Sequence, residues 1–134
     1  AYVITNLLRG VVQRGTAVKA ASINWPIGGK TGTTDDYTDA WFIGFDPDIT
    51  IGVWVGLDQK KPIGRNMTGA VAGLPIWMDV MKAWIGDRKE PPKFEAPGNI
   101  VFVSVDNTGA STDAATPGAI SEAFIAGTQP GGMR

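Results

Sequence analysis

Residues 27–34 read Ile-Gly-Gly-Lys-Thr-Gly-Thr-Thr. At their centre, Lys30, Thr31, Gly32 and Thr33 put an ammonium group, two hydroxyls and a residue without a side chain on one short extended segment. Such a segment suits a strand along which an anionic peptide end is laid and held. A phosphate-binding reading competes, because Gly29-Lys30-Thr31 has the ending of a P-loop. The glycine that opens that loop falls at Asn24, Pro26 interrupts it, and Gly32-Thr33-Thr34-Asp35-Asp36-Tyr37 is turn-like where a helix should start. Cradling phosphate needs both that glycine and a helix N-terminus, so the peptide reading is preferred. Alternation along a strand puts Thr31 and Thr33 on one face and Lys30 and Gly32 on the other. All four serve one ligand only if it lies along an exposed strand edge.

The other candidate groups are weaker. Asp35, Asp36 and Asp39 fall within five positions and carry oxygen ligands for a hard cation. They lack the glycine and terminal glutamate of an EF-hand loop and fit a turn and a strand entry, so no metal is expected. Ser22-Ile23-Asn24 stands only six residues before Lys30 and is read as coincidence. Ser22, Ser104, Ser111 and Ser121 have no lysine three positions on. The chain has no cysteine and no histidine. Disulfides, thiolate and histidine metal sites, and Ser-His-Asp or Cys-His catalysis are therefore excluded within it. Acid–base work falls to lysine, carboxylates or tyrosine.

The elements that must position the segment are legible. Val3, Ile4, Leu7, Leu8, Val11 and Val12 have the spacing of an amphipathic helix over residues 2–14, with Gly15 placed to stop it. Residues 17–23 are ambiguous. Ile27 to Thr34 reads as a strand entered from Pro26, with a turn at Asp35-Asp36. Thr38 to Asp46 reads as a second strand and Thr50 to Leu57 as a third. The third is apolar almost throughout, which suits burial on both faces. Short connections favour antiparallel pairing. A helix is expected over residues 69–85, with Pro75 at its first turn or kinking it. Trp77, Met81 and Trp84, with Val80 beside them, form a stripe read as core packing. Residues 86–97 read as a connection, Ile100 to Val105 as a strand, and Asp106-Asn107-Thr108-Gly109 as a hairpin-like turn. Ser111 to Gly118 reads as a mobile loop, Ile120 to Ile125 as a last short element, and residues 129–134 as a fraying end.

With 134 residues, a net charge of −1 and 43% hydrophobic residues, the composition is that of a globular domain. Nothing in the charge pattern calls for nucleic acid, and no apolar run reaches membrane-span length. The opening Ala1-Tyr2-Val3-Ile4 reads as the middle of a helix, so the chain is expected to be a piece of a longer protein.

Gly28 through Phe45 resembles the third active-site motif, and the strand after it, of class A penicillin-binding proteins. The resemblance extends to Ile51–Asp58 as the next strand, to Thr68-Gly69-Ala70 through Pro75-Ile76-Trp77 and Met81 as a helix, and to Leu7–Ala17 as the preceding helix and Gly-Thr turn. It holds in register over about residues 1–85 and is looser beyond. It implies an α+β fold, the antiparallel sheet flanked by helices of penicillin-binding proteins and serine beta-lactamases, only part of which lies here. Residues 1–86 would be the C-terminal portion of the transpeptidase domain, and residues 87–134 an extension packed on it.

In that family a serine attacks the penultimate D-alanine carbonyl of a peptidoglycan stem peptide, and an amine of a neighbouring peptide then takes the acyl group. The serine lies in a Ser-x-x-Lys motif, followed by Ser-x-Asn, and both are expected outside this chain. The resemblance implies catalytic roles for Lys30 and for the backbone N–H of Thr33, and substrate binding by Thr31, Gly32, Thr33 and Thr34. It implies no cofactor. The implied partners are the serine-bearing remainder of the same protein, stem peptides and beta-lactams, and the implied place is the outer face of the cytoplasmic membrane. A non-catalytic penicillin- or peptidoglycan-sensing module of the same fold is the alternative. Asp35 and Thr38 stand where the family pattern often has Asn and Arg, which bears on the rim of the site and not on the Lys-Thr-Gly triplet.

Overall fold

A computed structural model describes residues 1–131. Residues 132–134 of the expected fraying end lie outside the described residues. The chain divides into two compact units, Leu7–Phe94 and residues 1–6 with the chain from Glu95 onward.

The larger unit holds the Lys-Thr-Gly segment. Its elements in order are the helix α1 (Tyr2–Arg14, whose first turn belongs to the other unit), a 3₁₀ helix over Val18–Ile23, the strands β1 (Gly28–Thr33), β2 (Asp39–Phe45) and β3 (Thr50–Gly56), a π-helical turn over Gly69–Gly73, and α2 (Leu74–Ile85). The three strands form an antiparallel sheet in the order β1-β2-β3. Thr31 pairs with Phe42 and Phe42 with Val53, so these three share one face. Lys30 pairs with Ile43, Gly32 with Trp41, and Trp41 with Trp54 on the other.

α2 covers the first face. The Trp77 ring meets Phe42 edge-on at 5.1 Å, and its indole N–H donates to the Ile51 carbonyl at 3.0 Å. Phe42, Leu74, Trp77 and Met81 are fully buried, each contributing about 1.5–3 kcal/mol of burial free energy. The second face presents Trp41, Ile43 and Trp54, exposed by 44%, 48% and 47%. Within this chain β3 is therefore half-buried on one face and exposed on the other, against the reading of its apolar run. The stripe on α2 divides likewise. Trp77 and Met81 are core, whereas Val80 and Trp84 remain 45% and 42% exposed.

Pro75 sits in the first turn of α2, where its missing N–H costs nothing. The π turn before it is capped by Thr68, whose hydroxyl accepts from the Val71 N–H at 3.3 Å. The β2–β3 turn is built on Asp46, which is only 4% exposed. Its carboxylate accepts from the backbone N–H groups of Asp48 and Ile49 (both 2.8 Å) and from the indoles of Trp25 (3.0 Å) and Trp84 (3.3 Å). Burial pushes this carboxyl's pKa up, but those four donors together outweigh it, and the net shift is downward.

In the smaller unit β4 (Ile100–Val105) pairs antiparallel with β5 (Ile120–Ile125). The turn after β4 forms as expected around Asp106, which accepts from the Thr108 N–H at 2.8 Å and hydroxyl at 2.6 Å. It leads first to an isolated bridge between Val105 and Ser111 and not directly into β5. Tyr2 meets Phe102 edge-on at 6.1 Å.

Candidate active site

The candidate site is the open margin of β1. That strand pairs with β2 alone, and its other edge carries no strand among the described residues. The local sequence makes this edge workable. Gly28 and Gly29 let β1 lie close against β2: a Cβ at Gly29 would stand 2.8 Å from the Phe42 ring and 2.9 Å from the Ile43 carbonyl oxygen. The strand then ends in a tight turn. Thr34 O accepts from the Tyr37 N–H at 3.0 Å, and Tyr37 takes a left-handed φ of 56°. The Thr34 N–H donates inward to Asp39 O at 3.1 Å.

That inward bond fixes the phase of the ladder. Backbone groups alternate in direction along a strand, so those of Lys30, Gly32 and Thr34 face β2. Those of Thr31 and Thr33 face the open edge. The Lys30 ammonium agrees, because it donates to the Thr31 carbonyl oxygen at 3.0 Å. It also donates to the Thr31 hydroxyl at 3.2 Å. Alternation starts Lys30 and Thr31 on opposite faces, yet the lysine stem wraps around the free edge and brings its charge to the hydroxyl. Thr31 Oγ1 lies in addition 3.3 Å from Thr16 Oγ1, on the loop after α1.

Thr33 is held from the other side. Its hydroxyl accepts from the Gly69 N–H at 2.9 Å. Gly69 opens the π turn and presses against the strand: a Cβ there would stand 2.2 Å from Trp41 O and 2.9 Å from Gly32 O. Thr34 belongs to the turn. Its hydroxyl accepts from the N–H groups of Thr38 and Asp39, both at 3.0 Å. Thr38 also donates to Asp36 at 3.0 Å, and this bond is the main reason that the Asp36 pKa is lowered. The structure thus brings Lys30, Thr31 and Thr33 to one edge with Gly32 between them, and commits the Thr34 hydroxyl to the corner.

The competing readings find no support in this geometry. The residues after Thr31 continue as strand and turn, so the helix that a P-loop needs does not follow Lys30. Ser22 donates its hydroxyl to Lys19 O at 2.8 Å within the 3₁₀ helix. Asp36 and Asp39 converge on the Thr38 hydroxyl, and no group of three or more acidic side chains suited to a metal occurs among the described residues. A cavity of about 320 Å³ beside Arg9, Asn24, Trp25 and Pro91 touches none of residues 30–34.

Thr16 and Gly69 are contacts that composition and periodicity did not reveal. They lie 15 and 36 positions from their partners, and nothing local in the sequence joins them.

What the edge can do follows from its parts. An ammonium and two hydroxyls, beside outward N–H groups at Thr31 and Thr33, bind an extended chain that ends in an anion. A fixed outward N–H also stabilises an oxyanion developing on that chain.

The comparisons with known proteins agree with one another. Residues 1–82 match the family model "Penicillin binding protein transpeptidase domain". Penicillin-binding protein 1A of Aquifex aeolicus is 42% identical over 126 residues, which is 93% of this chain and 17% of that protein. Penicillin-binding protein 1A of Rickettsia bellii is 46% identical over 125 residues, 92% of this chain and 15% of that protein. The crystal structure of penicillin-binding protein 1A from Haemophilus influenzae superposes with a TM-score of 0.84 at 33% identity, covering 99% of this chain and 21% of that one. The chain spans about a sixth to a fifth of the length of these proteins.

Proposed function

This chain belongs to the penicillin-binding protein transpeptidase domain family, in its class A branch, and from that premise we propose that it forms the Lys-Thr-Gly wall of a peptidoglycan DD-transpeptidase site. The nucleophilic serine and the Ser-x-Asn motif come from a preceding part of the same protein. The observation that carries this reading is the free edge of β1, with the Lys30 ammonium wrapped onto the Thr31 hydroxyl.

The D-alanyl-D-alanine end of a stem peptide lies along β1 as an added strand. Its carboxylate takes the hydroxyls of Thr31 and Thr33 and the positive field of Lys30. Gly32, with no side chain, lets the peptide backbone approach. The scissile carbonyl then sits against the Thr33 N–H, one half of an oxyanion hole whose other half is the serine's own N–H. One such donor is worth about 3 kcal/mol to the transition state. Lys30 also helps proton movement between the serine and the leaving amine. Thr34 supports binding by fixing the turn that ends the strand. A beta-lactam presents the same carboxylate and carbonyl and so acylates the serine.

The serine-bearing remainder of the domain would cover the face that bears Trp41, Ile43 and Trp54, since apolar surface of that kind marks an interface. No helix among the described residues is long and apolar enough to cross a membrane. We place this chain on the outer face of the cytoplasmic membrane, anchored through a segment outside it.

Labelling with a fluorescent penicillin tests the reading. The longer protein carrying this chain should label, and Lys30→Ala should lose most of that labelling while keeping its urea midpoint. The chain alone should not label. Labelling of the chain alone, or near-normal labelling of Lys30→Ala, would refute the assignment.

A further inference from the structure

We propose that Thr16 is a positioning residue that turns the Thr31 hydroxyl into a committed donor for the substrate carboxylate, an inference that rests on the transpeptidase reading above. Proton supply at the Thr31 hydroxyl is limiting. Thr31 Oγ1 has one hydrogen and two lone pairs. The Lys30 ammonium, a donor only, fills one lone pair at 3.2 Å. Thr16 Oγ1, at 3.3 Å, is the next neighbour. If Thr31 spends its hydrogen on Thr16, nothing remains for an incoming anion. If Thr16 donates instead, both lone pairs of Thr31 are filled and its single hydrogen faces the open edge. A carboxylate accepts and never donates when ionised, so its arrival selects the second order.

Thr33 supplies a parallel. There the Gly69 N–H, which cannot accept, donates to the hydroxyl oxygen at 2.9 Å and leaves the Thr33 hydrogen for the ligand. With Thr16 as the donor, each hydroxyl on the β1 edge is backed by a donor from another element. A bond donated into a hydroxyl oxygen strengthens the bond that this hydroxyl donates onward. The 3.3 Å separation is long for two hydroxyls and shortens when the anion fixes the proton order, as hydrogen bonds of unliganded sites do. Thr16 itself is exposed but is carried by a fixed loop. Its neighbour Ala17 is fully buried and donates its N–H to Val11 O at 3.2 Å.

The test uses the longer protein that carries this chain, with Thr16→Val and Thr16→Ser, and compares acylation by benzylpenicillin with acylation by its methyl ester, each as a ratio to wild type. Thr16→Val should slow acylation by the free acid about fivefold, the factor for one hydrogen bond of ordinary net strength. The ester ratio should stay near one, and Thr16→Ser should restore the free-acid rate. Urea midpoints of both variants should match wild type. An unchanged free-acid rate in Thr16→Val, an equal loss with acid and ester, or no rescue by serine would each overturn the proposal. A wild-type protein acylated by neither compound would overturn the transpeptidase reading, and this inference with it.

Discussion

Replacing Gly69 by alanine is the sharpest test of how this chain holds its site. An added Cβ would lie 2.2 Å from Trp41 O, 2.9 Å from Gly32 O and 3.1 Å from Gly32 N. All three are backbone atoms of paired strands, so none can rotate aside. Ordinary contact begins near 3.4 Å, and relief of the worst clash, from 2.2 to 3.4 Å, needs about 1.2 Å of movement. The π turn must lift from the strand or the strand must bow. Either way the 2.9 Å bond from the Gly69 N–H to the Thr33 hydroxyl stretches beyond hydrogen-bond range. Overpacking of this kind costs about 1–3 kcal/mol, and the lost bond adds about 1 kcal/mol. The effect on chemistry should be larger than the effect on stability. A misplacement of about 1 Å at a reacting centre costs on the order of a hundredfold in rate, and in either case Thr33 loses the bond from Gly69 that holds its hydroxyl. The assay measures penicillin acylation and the urea midpoint of the same preparation of the longer protein. Gly69→Ala should remain folded, with a lowered midpoint, and acylate about two orders of magnitude more slowly. Acylation within twofold of wild type would show that the close fit of the π turn on β1 does not hold Thr33 in place.

Two further outcomes follow from the packing. Asp46→Asn should destabilise the protein by about 2–3 kcal/mol, because its amide NH₂ would face the indole donors of Trp25 and Trp84. The Asp46 pKa is lowered in the folded chain from an ordinary value near 3.8. The carboxylate's contribution is therefore fully present above that value and is lost as pH falls through the folded pKa. Urea midpoints of wild type and Asp46→Asn should draw together as pH falls below 3.8; a gap that stays constant from neutral pH to well below 3.8 would contradict the bonding described. Gly44→Ala should cost about 1–3 kcal/mol, since its Cβ would stand 2.6 Å from the Trp77 ring and 2.7 Å from the Phe42 ring, both fully buried. Gly52→Ala, whose nearest neighbour is Ile43 Cγ1 at 3.8 Å, should change the midpoint little. The reverse order would remove the close-approach account of Gly44.

What the sequence made legible and what it left hidden divide along physical lines. The helix over residues 2–14, the three strands with their short turns and the helix after Thr68 follow from periodicity and turn chemistry, which act over a few residues. The burial of β3 does not. An apolar run states that two faces need cover, but not which segment supplies it, and here α2 covers one face while Trp41, Ile43 and Trp54 stay half exposed on the other. The contacts of Thr16 with Thr31 and of Gly69 with Thr33 are set by how elements dock, and no local pattern carries that information.

The same division explains the site itself. Composition places an ammonium and two hydroxyls within four residues, but alternation sets the ammonium and the hydroxyls on opposite faces of the sheet. In a central strand that separation would be final, because a second neighbour would fill the margin between the faces. Strand order decides the matter: with β1 at the end of β1-β2-β3, a four-carbon stem suffices to bring Lys30 around to Thr31. The chemistry proposed for Lys-Thr-Gly is therefore a property of the edge before it is a property of the residues. Pairing a further strand along β1 would abolish it with every side chain unchanged.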